Sequence, residues 1–166
     1  MKNIIYIFLI TLYFQANAQV PTQKEIRILY AKAATDEASC KKIVTVLTPY
    51  NETNNPLWAG YKACAIMMLA NHVFNPYSKL SNFNDGKKLL EKCISADKGN
   101  IELRFLRFAI QNEAPSFLGY NNSITEDKLI LLNIIGNIKD SELKKNIISY
   151  LKNCEFLTPT EKLKLN

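Results

Sequence analysis

The chain reads as all-α, built of stacked antiparallel helix hairpins with seven main helices and a short eighth. Three observations predict this. Apolar residues recur at i, i+3, i+4 and i+7 through most of the sequence, the period of a helix with one face buried. Side chains suited to helix caps precede most of these stretches. No segment alternates apolar with polar residues between turn signals, as a half-buried strand does.

The elements follow in order. "TQKE" (22–25) is a capping box, in which Thr22 accepts from the backbone and Glu25 reaches back, and it opens a helix to about 35. Asp36 caps a second, with Cys40, Ile43, Val44 and Leu47 on one face and Pro49 as its stop. Asn55-Pro56 supplies a cap followed by proline at the first helical position, starting an apolar helix over 57–74. "NPYSKLSNFN" (75–84) is expected to be irregular, with Asp85 capping a fourth helix that turns Leu89, Leu90, Cys93 and Ile94 inward. Lys98-Gly99 breaks that helix, Asn100 caps the fifth and Pro115 closes it, leaving 115–122 as a loop. "SITE" (123–126) reads as a second capping box and Asp140 or Ser141 as the next cap, while "TPTE" (158–161) starts the short terminal helix.

The first eighteen residues read as a signal peptide. Lys2 precedes the eleven-residue apolar run "IIYIFLITLYF" (4–14), and "ANA" (16–18) has the small-x-small pattern of a cleavage site. The run is too short for a membrane span of roughly 20 residues. The expectation is an exported chain, periplasmic or secreted, with one domain over 19–166 and no stable membrane insertion after cleavage. Without Lys2, 20 basic and 15 acidic residues leave +5. That balance admits an acidic partner. The lysines are scattered, however, with no basic run and no interleaved aromatics, so nucleic acid is not the expected partner.

"LLEKCISADKGNIEL" (89–103) resembles the second helix of a tetratricopeptide repeat and the turn into the next unit. Cys93-Ile94 stand at the small-large pair, Asp97 at the aspartate, Lys98 at the turn proline and Asn100 at the asparagine. Gly86 takes the small position where the paired helices come close. The resemblance implies hairpin stacking and a scaffold that binds peptides or proteins. "RFLRFAIQ" with the following "PSFLGY" also resembles exported bacterial helical proteins, which implies no activity.

The helix over 100–113 poses the main question, because it is apolar almost all round yet carries Arg104, Arg107 and Gln111. At 100° per residue these three fall within a stripe about 60° wide. A buried guanidinium needs partners, since an unpaired charge costs several kcal/mol. In one reading the arginines bond helix-end carbonyls or acids such as Glu91, Asp97 or Asp127. In the other, the stripe lines a concave face and its fork-shaped donors await a carboxylate or phosphate. The binding residues expected on the second reading are Arg104, Arg107 and Gln111 as donors, with Trp58 and Tyr61 for apolar contact. The aromatics Tyr50, Phe74, Tyr77, Phe83, Phe117 and Tyr120 read as core and loop anchors, or else as part of that groove.

Catalytic and metal signals are absent from the sequence. No G-x-S-x-G elbow, phosphate-binding glycine loop or H-E-x-x-H motif occurs. The lone His72 lies eight residues from Cys64, about 12 Å along a helix and too far to share a metal. Cys40, Cys64, Cys93 and Cys154 form no CxxC pair, and read as buried free thiols or, alternatively, as one or two disulfides. The functional expectation is a non-catalytic protein- or peptide-interaction module without cofactor or metal. A small-molecule carrier with a pocket between helices three and five is the alternative.

Overall fold

The computed structural model describes residues 21–165, so the expected signal segment 1–18 lies outside the described residues. The described chain is all-helical. It comprises α1 (Gln23–Ala33), α2 (Glu37–Val46), α3 (Pro56–Leu69), α4 (Pro76–Ala96), α5 (Ile101–Glu113), α6 (Ile124–Ile134), α7 (Ser141–Asn153) and α8 (Pro159–Leu163), with single 3-10 turns at Ser116–Leu118 and Ile135–Asn137. Consecutive helices pair, α1 on α2, α3 on α4 and α5 on α6, and α3 also packs on α2 and α5.

Local chemistry explains most boundaries. The boxes Thr22/Glu25 and Thr158/Glu161 both close, each threonine accepting from the glutamate N–H while the carboxylate accepts from the threonine N–H. Asp36, Asn55, Asn100 and Asp140 cap α2, α3, α5 and α7 with side-chain oxygens, relieving the amide groups that a helix start leaves unpaired.

Three expectations are corrected. The stretch 75–84 is the start of α4: Asn75 accepts from the N–H groups of Tyr77 and Ser78, Pro76 fills the first turn, and the helix runs on to Ala96. Asp85 is internal to it and accepts from the Ser81 hydroxyl at 3.1 Å. The pattern misleads because these first turns are exposed, Tyr77 and Leu80 included, and so carry no apolar stripe. α3 correspondingly ends at Leu69 in a tight turn through His72, leaving Phe74 fully exposed. Ser123 makes no side-chain cap bond; its would-be partner Glu126 is bonded to Arg104 instead.

Two apolar clusters form the core, and α5 serves both. Leu103, Leu106 and Ile110 join α1–α4, whereas Phe105 and Phe108 join α6, α7 and the C-terminal turn. That double duty is why α5 is apolar almost all round. Cys93 and Ile94 are buried. All four cysteines are buried and unbonded to one another. Burial pushes the Cys40 and Cys93 thiols up to about 11, which disfavours the thiolate that nucleophilic chemistry needs.

The α3–α4 pair depends on Gly86. A Cβ there would lie 2.5 Å from the Ala63 carbonyl oxygen and 2.9 Å from the Met67 nitrogen, both backbone atoms that cannot swing away. Alanine gains about 1 kcal/mol in helix propensity, but overpacking costs about 1–3 kcal/mol and a backbone clash belongs at the upper end. Gly86→Ala is therefore expected to lower the urea midpoint. Gly136→Ala, with open space at its Cβ, should leave the midpoint nearly unchanged.

Candidate binding groove

The arginine stripe of α5 faces α4 and α6. Arg107 forms a two-pronged pair with Asp127, Nε to Oδ2 at 2.6 Å and Nη2 to Oδ1 at 2.9 Å, and its Nη1 donates to Glu91 at 2.9 Å. Arg104 Nη1 donates to Asp127 at 3.0 Å and to Glu126 at 2.9 Å, while its Nε reaches the Lys98 carbonyl at 3.2 Å. Glu91 also accepts from the Tyr120 hydroxyl at 2.5 Å. Burial, followed by this acceptor, raises the Tyr120 phenol well above its ordinary value. Gln111 is buried alongside, its Oε1 without a partner among the described residues. Fork-shaped donors matched to carboxylates give this network its direction, and it ties α5 to its neighbours on both sides.

Of the other two expected residues, Trp58 is half-buried and packs its ring edge-on to Tyr50 at 4.7 Å. Tyr61 belongs to a second network that the sequence reading did not isolate. Glu102 in the first turn of α5 is only 4 % exposed. It accepts from Arg27 Nε at 2.7 Å, Arg27 Nη2 at 2.8 Å, Gln23 Nε2 at 2.7 Å and the Tyr61 hydroxyl. Arg27 Nη2 also donates at 2.8 Å to Asp140, the cap of α7, and that bond holds the Asp140 carboxyl below its ordinary value. A signal was available. The chain has three arginines beside eighteen lysines, and all three sit in these networks, where a planar fork outperforms an ammonium.

The second network places the N-terminal parts of α1, α3, α5 and α7 together. Beyond it these four helices surround a groove of about 1130 Å³, completed by the start of α4 and residues 114–118. Arg27 and Tyr61 lie at the network end. Tyr30, Phe105 and Tyr150 form aromatic wall, with the Phe105 and Tyr150 rings edge-to-face at 5.6 Å. Three side chains on its edge, Ile28, Leu80 and Phe117, are 47 %, 50 % and 84 % exposed. Thus Tyr61 is the only one of the five expected binding residues that lines the groove. Such a surface can desolvate apolar side chains of a partner while offering few directional bonds. Among the described residues no group of three His, Cys, Asp or Glu is placed to hold a metal, and no helix is long and apolar enough to cross a membrane. His72 Nε2 lies 3.1 Å from the Ala33 carbonyl oxygen.

Comparison with family models, with curated proteins and with solved structures found no match. The functional reading therefore rests on the groove itself.

Proposed function

We propose that this chain is an exported, non-catalytic interaction module of the bacterial cell envelope, TPR-like in its hairpin stacking, and that its groove seats an apolar-faced helical segment of a partner protein. One observation carries the reading: the large apolar side chains Ile28, Leu80 and Phe117 are exposed on the edge of the groove that the odd-numbered helices form. Exposed apolar side chains gathered about one concavity mark interaction surfaces. Recognition of an amphipathic helix by an apolar groove uses contacts of this kind. The exposed edge favours a segment that lies across it over a small molecule enclosed in a carrier pocket.

The test uses an amphipathic Leu/Gln helical peptide, titrated against the 19–166 protein by fluorescence anisotropy. Burying a Leu or Phe side chain contributes about 1.5–3 kcal/mol, so the doubly substituted Leu80→Asp/Phe117→Asp protein is expected to bind at least about tenfold more weakly. Both positions are exposed, and the unfolding midpoint should hold. Equal binding by wild type and variant would refute the groove as the docking site. Tight uptake of a single-chain fatty acid, with no peptide binding, would instead support the carrier reading.

A further inference from the structure

We infer that the segment accepted by the groove is cationic as well as apolar; this rests on the groove being the docking site. The charged side chains lining it are Arg27, Lys79, Glu113 and Glu142. Arg27 is already held by Glu102 and Asp140. Counting those two, two cations stand against four carboxylates, a formal −2 within a chain of +6. Glu113 accepts from the Tyr150 hydroxyl and the Asn112 amide, each at 2.9 Å. Both donors are neutral, so its charge stays uncompensated there.

The backbone adds to this independently. The C-terminal ends of α1, α3, α5 and α7 also line the groove, through the cap residues Ala34, Ala70 and Ala114 and through Asn153 in the last turn of α7. Each helix C-terminus carries roughly half a negative charge on carbonyls without helical partners. The start of α4 opposes them with one helix N-terminus at Pro76 and with Lys79. Lys32 and Lys152 offset the ends of α1 and α7, whereas α3 and α5 end without a cation, and Glu113 closes α5 with a carboxylate where a helix favours a cation. An occupant that brings lysine or arginine to these ends gains from both sources of negative potential. An acidic occupant, which the overall charge of the chain would attract from a distance, is repelled locally.

Three amphipathic helical peptides of one length and one leucine face, with Gln, Lys or Glu at the polar positions, separate these ideas. The Lys peptide should bind the wild-type 19–166 protein roughly three- to tenfold tighter than the Gln peptide, and the Glu peptide more weakly than either. The Lys preference should shrink with added salt and fall to about half or less in Glu113→Gln/Glu142→Gln, the helix ends supplying the remainder. Should the Glu peptide match or exceed the Lys peptide, or the preference be unchanged by the double substitution, the inference is overturned while the groove stands. Failure of all three peptides to bind overturns the groove reading and the inference together.

Discussion

Asp127→Ala is expected to lower the unfolding free energy by about 3–5 kcal/mol, the loss typical when one partner of a buried ion pair is removed. Asp127 is 0 % exposed and takes three bonds from two arginines. Without it the Arg107 guanidinium stays buried with Glu91, a half-exposed partner, as its remaining acid. Arg104 loses less, because it keeps Glu126 and the Lys98 carbonyl and its side chain is 14 % exposed. The substitutions should therefore rank Asp127→Ala well above Arg104→Ala in urea denaturation. A loss under about 1 kcal/mol at Asp127, the range of exposed pairs, would mean that water reaches this network and α6 is less tightly held than described.

Glu102→Ala should cost a similar amount, about 3–5 kcal/mol, for a different reason. One carboxylate there satisfies Arg27, Gln23 and Tyr61, which come from α1 and α3. Asp140 remains to Arg27 but is 43 % exposed and cannot replace the two bonds lost. Stability alone does not show that the pair itself is favourable, since buried ion pairs often exchange for apolar residues at little net cost. Arg27→Met/Glu102→Leu is accordingly expected to recover part of the stability lost in Glu102→Ala, the buried Tyr61 hydroxyl remaining without its acceptor. Hydrogen exchange should rise at the start of α1 in the single variant and return toward wild type in the double one. No recovery would show that the charges do more here than fill space and satisfy one another.

The helical class and most starts were legible because caps are local: a side-chain oxygen two or three residues from its N–H donor leaves a pattern in sequence. The start of α4 is hidden in the sequence, although Asn75-Pro76 repeats the cap signal of Asn55-Pro56 that marks α3. The first turns of α4 are exposed and carry no apolar periodicity. The α5 stripe was legible as a unit, and two of the acids named for it, Glu91 and Asp127, do pair with Arg107. Its direction was not, because nothing in 100–113 alone says which of two buried sides faces α6. Arg27–Glu102 spans 75 residues, a pairing that periodicity cannot reveal. The groove shares that difficulty, as its wall gathers side chains from five helices spread along the chain.

The groove assignment is tested most directly by amide chemical-shift mapping of the 19–166 protein with the Leu/Lys peptide. Perturbations are expected to centre on Ile28, Leu80, Phe117 and Tyr150, with the outer side of the Arg104 network silent. Perturbations centred instead on Lys98, Arg104 and Glu126 would contradict it and return the docking site to the arginine stripe.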